Sequence, residues 1–417
     1  MQLFWLKDFD IICVMKPPRV AILMETSLEV SRQILHGISR YARTHGPWIL
    51  EYISGGISDQ KLPEGWNGDG IIARVSSEKE AKKIAANPAS KVILDPQRPF
   101  TAPEHPISRL ARVECDNVAI GRMAAKHFLS RKFKNFAFIG PSNASIVVCF
   151  GAWNDEPNWS EGRRIGYTEA LAERGYKVNL YKGAQSRHAS ANWTIEMPAV
   201  VKWIESLPKP VAVFAPHDAR ARQVADACLM SGIPVPYSVA ILGVNNDATL
   251  CDTTLPPLSS IPLDAERAGY TAAHKLDALM HGRKVQSITL YNPLPVAVRD
   301  STLQHQTEDA LVIGSLEKIR KAHGFNMRVG ELADEAGVTT RTLEARFRAA
   351  IGRSVGDVIR TSCLDEVKNI VENTDTPFAK IAKLCGQQSA SHLSDAFRRR
   401  YGITMSAARR AQSSSRL

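Results

Sequence analysis

Two hydrophobic patterns alternate along the first 300 positions of the chain. Short apolar runs are typical of strands that are buried on both faces of a parallel sheet. These runs are RVAILM (19–24), GIIARV (70–75), KVILD (91–95), NFAFIG (135–140), VAVFAP (211–216) and VAILGV (239–244). Between them, apolar residues recur at helical spacing, as in Val30–Tyr41. The repeated strand–helix units predict an α/β fold, and about 280 residues suit two lobes with a cleft between them.

The pattern changes after residue 309, where strand signals stop and helical spacing continues to about residue 411. This region contains an internal repeat: residues 331–360 match residues 380–410 at offsets of 49 and 50. The matched positions are Leu332/Ile381, Ala333/Ala382, Gly337/Gly386, Leu343/Leu393, Phe347/Phe397, Gly352/Gly402 and Arg360/Arg410. An all-α domain built from two similar units is therefore expected.

Each unit has the pattern of a helix-turn-helix motif. Gly337 supplies a left-handed turn residue, and Thr339 is suited to cap the second helix. Leu343 and Phe347 are four residues apart and predict the buried face of that helix. Gly386, Ser389, Leu393 and Phe397 repeat this arrangement in the second unit. Two such units on one chain can reach successive major-groove faces of DNA.

Outward side chains of the two second helices are the candidates for reading bases. They are Thr340, Arg341, Glu344 and Arg348 in the first unit, and Ser391, His392, Asp395 and Arg398 in the second. Arginine can bind guanine, and a carboxylate can accept from cytosine. Arg398–Arg400, Arg409 and Arg410 suit phosphates. The alternative is an all-helical interaction module whose arginine faces are solvated.

The charge distribution agrees with a polyanionic partner. The whole chain carries a net charge of +11. Residues 309–417 contain 18 Lys and Arg against 12 Asp and Glu, a net charge of +6 in about a quarter of the chain. This excess favours DNA without identifying it.

Other classes of protein find little support in the sequence. The chain lacks an apolar run long enough to span a membrane, and the opening segment is a poor signal peptide. The seven cysteines are scattered, which is typical of reduced thiols, so a cytoplasmic location is expected. Nucleotide-binding, hydrolase and metal motifs are absent, so we expect no enzyme, catalytic residue, metal or cofactor.

These patterns divide the chain into a sensor at 19–300, a polar linker at 301–308 and a DNA-binding domain at 309–411. An irregular loop is expected at 142–158. Residues 309–411 resemble the DNA-binding domain of AraC/XylS-type transcription regulators, through the repeated Leu/Ile, Ala, Gly and Phe positions given above. Residues 19–300 resemble the periplasmic-binding-protein-like sensor of LacI/GalR regulators. HDARARQVADAC (217–228), IPVPYSVAILGVNND (233–247) and LPPLSSI (255–261) carry that resemblance.

Four residues are candidates for ligand contacts. Asp218 and Asn245 follow predicted strands at their carboxyl ends, where α/β folds bind ligands, while Arg163 begins a helix with Trp159 one turn earlier. The resemblance places Arg163, Asp218 and Asn245 at sugar-contacting positions, with Asn245 where an Asp is usual. Glu25–Ser27, Asp116 and Asn117 are weaker candidates. Structural alternatives stay open: Asp218 as a helix cap, Trp159 as packing, Asn245 as a turn residue and Arg163 as a solvated helix residue.

These expectations combine into one function. The resemblance implies a DNA-binding transcription regulator controlled by a small carbohydrate, xylose or another sugar, in the sensor cleft. Its partners would be an operator in double-stranded DNA, the sugar effector, a second copy of the chain in a homodimer, and RNA polymerase if it activates transcription. No membrane partner is expected. The alternative is a solute-binding protein without catalytic activity.

Overall fold

The computed structural model of the chain describes residues 16–56, 60–140, 158–181, 193–303, 307, 309–387 and 389–414. The opening segment and residues 142–157 of the predicted loop lie outside the described residues. Contacts between Cα atoms divide the chain into two units, residues 1–304 and residues 305–417.

The first unit contains two parallel sheets. Its strands are β1 (Arg19–Leu23), β2 (Ile49–Tyr52), β3 (Gly70–Ala73), β4 (Ser90–Leu94), β5 (Ala111–Cys115), β6 (Asn135–Phe138), β7 (Val178–Leu180), β8 (Val211–Phe214), β9 (Val239–Val244), β10 (Ser259–Ile261) and β11 (Ile288–Tyr291). The first sheet has the order β11-β5-β4-β3-β1-β2, and the second has the order β10-β9-β8-β6-β7. Every pair of neighbouring strands within these sheets is parallel. The predicted two-lobed α/β fold is confirmed.

Helices of the first unit cover both sheets. They are α1 (Glu29–Thr44), α2 (Glu78–Ala86), α3 (Asn117–Ser130), α4 (Asn158–Ala172), α5 (Trp193–Ser206), α6 (Asp218–Met230), α7 (Ala248–Thr253) and α8 (Ala265–Met280), with short 3-10 helices at Pro106–Arg109 and Asp300–Thr302. The chain leaves the first sheet after β5 and enters α3, which packs along α4 beside the second sheet. It returns after β10 through α8, which packs along α1 beside the first sheet.

Six predicted strands are present in the structure, whereas several other elements were not predicted. The sequence pattern did not reveal β2, β5, β7 and β10, or the helices α2, α5 and α7. Every residue of β2 and β7 is exposed or only partly buried, so neither strand forms a continuous apolar run. Partial burial at a sheet edge therefore removed the signal that had marked the central strands.

The second unit is entirely helical in the described residues. Its helices are α9 (Ala310–Lys321), α10 (Val329–Glu335), α11 (Thr340–Ile351), α12 (Val355–Asn373), α13 (Phe378–Leu384), α14 (Ala390–Tyr401) and α15 (Met405–Ser414). Helices α10 and α11 form one helix-turn-helix unit, α13 and α14 form the other, and α12 joins them. Gly337 and Gly386 have φ of +66° and +70°, the left-handed conformation that the turn requires.

The buried faces and caps of these two units agree with the sequence pattern. Leu343, Phe347, Leu393 and Phe397 are almost completely buried. The N-caps of α11 and α14 are Thr339 and Ser389, whose hydroxyls accept the backbone N–H of Thr342 and His392. The predicted all-α domain with two helix-turn-helix motifs is therefore confirmed.

The first unit extends further than the predicted linker boundary allows. Ser301 and Thr302, assigned to the linker from their polar sequence, are fully buried in the first unit. The Ser301 hydroxyl donates to the carbonyl of Ile241 at 2.6 Å, and the Thr302 hydroxyl donates to the hydroxyl oxygen of Ser259 at 2.7 Å. The boundary at residue 300 was wrong because polarity does not distinguish a solvated linker from a buried hydrogen-bonded turn.

Glycines set the close approach of the helix pairs. A Cβ added at Gly121 of α3 would overlap the backbone of Arg163 and Tyr167 in α4, and one at Gly166 would overlap Val118. In the other lobe, Gly37 and Gly269 bring α1 and α8 together in the same way. Since backbone atoms cannot move aside individually, side chains at these positions require the helices to separate.

We expect Gly121→Ala to lower the free energy of unfolding of the sensor by at least about 2 kcal/mol, because overpacking against backbone displaces a whole helix. Calorimetric unfolding of the full chain measures it. Gly314→Ala is the control, since among the described residues no atom lies within 4 Å of its added Cβ on the exposed side of α9. That variant should be stabilised by about 0.5–1 kcal/mol. Equal effects of the two substitutions would contradict the close-packing argument.

Candidate ligand site and nucleic-acid interface

A cavity of about 350 Å³ lies between the two lobes of the sensor. The first lobe contributes side chains just after, or at the end of, its strands, and the second lobe contributes the starts of α4 and α6 and the segment after β9. The polar and aromatic lining residues are Glu25, Glu29, Arg74, Asp95, Gln97, Cys115, Asn117, Trp159, Arg163, His217, Asp218, Asn245, Asp247 and Tyr291. All four predicted ligand residues line this one cavity, together with Glu25 and Asn117 from the weaker candidates.

Arg163 is buried rather than solvated. Its side chain projects from α4, and the residue is 5% exposed. Its Nε donates to Asn117 Oδ1 at 3.0 Å, and its Nη1 donates to the carbonyl of Pro216. Its guanidinium also lies over the ring of Trp159, with 5.2 Å from Cζ to the ring centroid. The reading of Arg163 as a solvated helix residue was wrong, because α4 begins at the cavity instead of at the surface.

Asp218 is buried and holds together three segments of the second lobe. Its Oδ1 accepts from the Ser260 hydroxyl at 2.5 Å, and its Oδ2 accepts from the backbone N–H of Asp247 at 2.8 Å. The N-cap of α6 is His217 and not Asp218. Because a carboxylate oxygen can accept more than one hydrogen bond, Asp218 keeps capacity for a ligand hydroxyl.

Asn245 combines a turn with a place in the cavity. It has φ of +103°, and Asn246 after it has φ of +53°. Asparagine tolerates this left-handed region better than most residues. Its backbone N–H donates to the carbonyl of Ile261 at 2.9 Å, which fixes the loop after β9 against the end of β10. Both interpretations of Asn245 describe its environment: it makes the turn and its side chain lines the cavity.

His217 caps a helix of the second lobe and also lines the cavity. Its Nδ1 accepts the backbone N–H of Arg220 at 3.1 Å and caps α6. Burial, with the charges of Arg163 and Arg220, lowers the pKa of His217 to about 3, so the ring is neutral at physiological pH. A neutral ring that accepts at Nδ1 carries its proton on Nε2. This N–H lacks a hydrogen-bond partner within the described part of the chain.

A paired charge network forms the first-lobe wall of the cavity. Arg74 donates to Glu25 Oε1 through Nη1 and to Asp95 Oδ2 through Nη2, at 3.0 Å in the second case. Burial alone would lower the pKa of Arg74, but the charges of Glu25 and Asp95 raise it above its ordinary value. Asp95 also accepts from the backbone N–H of Cys115 at 2.8 Å and from the hydroxyl of Tyr291 at 2.9 Å.

Several polar atoms around the cavity lack partners among the described residues. They are Glu25 Oε2, Arg74 Nε, Gln97 Oε1 and His217 Nε2. Buried polar atoms without hydrogen bonds are costly, and they mark places where a ligand or an ordered water completes the bonding. Sequence reasoning missed Arg74 and Asp95, although both directly follow strands, as Asn245 does. Applying the strand-end rule to β3 and β4 would have found them.

The second helices of the two helix-turn-helix units, α11 and α14, are named the recognition helices. Each has a stripe of exposed residues opposite its buried face. Arg341 and Arg348 lie on this stripe of α11, while Ser391, Asp395 and Arg398 occupy it on α14. Thr340 and His392 are also exposed, near the starts of these helices. Seven of the eight predicted DNA-contacting residues are therefore exposed on α11 or α14.

Glu344 is the exception. It is only partly exposed, and its Oε2 accepts the backbone N–H of Val355, the first residue of α12, at 3.3 Å. Ser394 is equivalent to it at an offset of 50, and its hydroxyl lies 3.5 Å from the sulfur of Met405, the first residue of α15. This position joins each recognition helix to the next helix, so Glu344 faces the helix junction as well as solvent.

Two of the arginines assigned to phosphates are engaged within the protein. Arg400 donates to Asp365 Oδ1 on α12, at 2.7 Å from its Nη2. Arg409 donates to the carbonyls of Val371 and Thr376 and lies over the ring of Phe378, 4.3 Å from its centroid. They fasten α14 and α15 to their neighbours. The sequence did not reveal these internal bonds, because charge alone does not distinguish solvated from structural arginines; contact of Arg400 and Arg409 with phosphates stays a prediction.

Other kinds of site are not apparent in the described part of the chain. None of its helices has the length and apolar character needed to cross a membrane. Within these same residues, no group of three or more His, Cys, Asp or Glu side chains is arranged to hold a metal ion.

The sequence matches two known domain families. Residues 125–302 match the periplasmic binding protein-like domain, and residues 332–411 match a helix-turn-helix domain. The chain is therefore a DNA-binding transcription regulator that joins a periplasmic-binding-protein-like sensor to an AraC-type helix-turn-helix domain.

Two curated proteins are similar to this chain over nearly its whole length. The xylose operon regulatory protein of Haemophilus influenzae is 27% identical over 390 residues, which cover 93% of this chain and 96% of that protein. The protein of the same name from Escherichia coli K12 is 25% identical over 395 residues, with the same coverage. A solved structure of a xylose-binding transcription activator has a TM-score of 0.76 and 23% identity, covering 95% of this chain and 98% of that one. This structural likeness supports the fold of each of the two units.

We expect the ionisation of Asp218 to make the stability of the sensor depend on pH. Burial raises the pKa of Asp218 to about 7 from an ordinary value of 3.8, although its hydrogen bonds oppose this shift. Between these two values the folded protein binds more protons than the unfolded chain, so this group lowers the free energy of unfolding as pH rises. Urea unfolding at pH values from 4 to 8 compares the wild type with Asp218→Asn. The variant should gain relative stability up to about pH 7 and then level off; parallel curves would contradict the shift.

Proposed function

We propose that this regulator binds a small neutral sugar in the cavity between its lobes and that the sugar controls its binding to operator DNA. The observation that carries the proposal is the set of buried donors and acceptors around the cavity that lack partners among the described residues. A sugar hydroxyl both donates and accepts, so adjacent hydroxyls suit acceptors such as Glu25 Oε2 and donors such as the His217 N–H. D-xylose is the first candidate, since similar proteins are named as regulators of a xylose operon.

Arg163, Asp218, Asn245 and Trp159 are the proposed ligand contacts, with His217 added from the structure. Arg163 and His217 offer N–H groups, Asp218 offers carboxylate lone pairs, and Asn245 offers both a donor and an acceptor without charge. Trp159 presents a ring beside Arg163 and His217. The sugar would favour a closed arrangement of the lobes only as far as it binds that arrangement more tightly than the open one.

The proposed assembly is a homodimer in the cytoplasm that presents four helix-turn-helix units to an operator in double-stranded DNA. RNA polymerase is a further partner if the regulator activates transcription. A monomer in sedimentation equilibrium at concentrations that saturate the operator would contradict the dimer. The solute-binding alternative is not favoured, because it gives no role to the paired helix-turn-helix units. The proposed activity is regulatory and not enzymatic.

A thermal-shift screen against pentoses, hexoses and sugar acids tests the sugar. D-xylose at a hundredfold excess over its Kd should stabilise the sensor by about 2.7 kcal/mol. His217→Ser preserves an N-cap for α6 but removes the imidazole N–H, so we expect Kd to rise about fivefold, equivalent to about 1 kcal/mol. An unchanged Kd would remove His217 from the site. The absence of any shift in the wild type would contradict sugar control and leave DNA binding untouched.

We expect Arg341→Ala to weaken binding to an operator selected from random DNA by about 1–3 kcal/mol and to relax the preference at one base pair. Arg341 lies on the exposed stripe of α11 near its first turn. Lys318→Ala is the matched control, because it removes one positive charge from the same unit but lies on α9 and pairs with Glu335. Gel-shift titration at constant salt measures both variants, and equal losses would show that Arg341 contributes only charge.

A further inference from the structure

One carboxylate at the start of the second unit is bonded to two helices at once. Asp309 Oδ1 accepts the backbone N–H groups of Leu311 and Val312, at 3.0 and 3.2 Å, and so caps α9. Both of its oxygens also accept from Arg346 on α11, at 2.6 Å from Nε and 2.7 Å from Nη2. The cap of α9 is therefore joined to the first recognition helix by a bidentate ion pair, a geometry that fixes orientation as well as distance.

Asp309 stands immediately after the segment that connects the two units. In the first unit, Thr302 is fixed by bonds from its hydroxyl to His127 Nε2 at 2.9 Å and to Ser259 Oγ at 2.7 Å. Its carbonyl accepts from Arg131 Nε at 2.8 Å. Only residues 303–308 separate Thr302 from Asp309, and a chain of that length spans at most about 25 Å. This short tether therefore keeps Asp309 within that distance of Thr302.

The ion pair lies on the flank of α11, away from the exposed stripe. Leu343 and Phe347 form the buried face, and Arg341 and Arg348 lie on the opposite side. Arg346 lies between these faces and turns toward Asp309, with 45% of its side chain exposed. Arg346 is thus placed to hold α11 in position rather than to read bases.

The second helix-turn-helix unit lacks this connection. Ala396 occupies the position equivalent to Arg346 at an offset of 50. Helix α14 is instead fastened by Arg400 to Asp365 of α12, the helix that joins the two units. Within the described residues, α11 is therefore the only recognition helix that pairs with Asp309, the residue after the linker.

We propose that Asp309 and Arg346 are the positioning residues that transmit the state of the sensor to the first recognition helix. This inference rests on the proposed control of DNA binding by a sugar. The side chains of Arg346 and Asp309 are 45% and 19% exposed, so water can replace the bonds of this pair when Asp309 is displaced. The rearrangement needs only to change operator affinity by the factor of about 5 to 150 that is usual between coupled sites.

The test measures the coupling between sugar and operator in the full-length chain. The Kd for the operator is determined with and without saturating D-xylose, and the Kd for D-xylose is determined without DNA. Arg346→Gln keeps Asp309 as the cap of α9 but removes the ion pair. We expect its ratio of operator Kd values to fall to within about twofold of 1, while its Kd for D-xylose stays at the wild-type value. Asp309→Asn, which keeps a capping side chain, should behave in the same way.

Arg400→Gln is the matched control, because it breaks the corresponding ion pair of the second unit. Any loss of operator affinity in this variant should be the same with and without D-xylose. The ratio of the two operator Kd values should therefore stay at the wild-type value. A wild-type ratio in Arg346→Gln would overturn the inference. A ratio near 1 in Arg400→Gln would also overturn it. So would loss of operator binding in both Arg346→Gln and Asp309→Asn, with and without D-xylose, because the ion pair would then only support the structure. Failure of D-xylose to bind the wild type would instead refute the proposed sugar, and this inference with it.

Discussion

Charged groups buried between two parallel sheets must be bonded to other groups, and this requirement organises the sensor. An isolated buried charge costs several kcal/mol, so burial is tolerated only with good partners. In the first lobe Arg74 is held between Glu25 and Asp95. In the second, Arg163 donates to a side-chain amide and a backbone carbonyl, and among the described residues no carboxylate lies within ion-pair distance of it. The ion-paired cluster on the first-lobe wall thus has two carboxylates for one guanidinium, whereas the guanidinium on the second-lobe wall donates to neutral groups among the described residues.

The glycine contacts explain how Arg163 reaches this position. Gly121 brings the backbone of α3 against the carbonyl of Arg163, and Gly166 brings α4 against Val118. This close approach fixes the register of α4 on α3, and Asn117 at the start of α3 then lies where its Oδ1 accepts from Arg163 Nε. The packing of α3 against α4 therefore determines the position of Arg163 in the ligand site. A larger residue in the helix pair would disturb the site without touching the cavity.

The sequence predicted those features that depend on local chemistry. Buried central strands, helix caps such as Thr339 and Ser389, and the inward pairs Leu343/Phe347 and Leu393/Phe397 follow from periodicity and hydrogen-bonding capacity alone. The rule that carboxyl ends of parallel strands meet indicated Asp218 and Asn245, and the start of a helix indicated Trp159 and Arg163; all four line one cavity. What remained hidden depends on contacts distant in sequence. The polar sequence around Thr302 does not reveal its buried bonds to Ser259 and His127, and the charge of Arg409 does not reveal its contact with Phe378.

The internal repeat shows which residues a motif requires and which its surroundings determine. Buried positions of the recognition helices, such as Leu343 and Leu393, are the same in both units because each helix packs in the same way within its unit. Glu344 and Ser394 differ in chemistry, yet each contacts the first residue of the following helix, Val355 or Met405. On the flanks even this correspondence disappears: Arg346 faces α9 in one unit, and Ala396 stands in its place in the other. Because the two units have different neighbours, their divergence identifies how each recognition helix is connected to the rest of the chain, and their similarity identifies how each is folded.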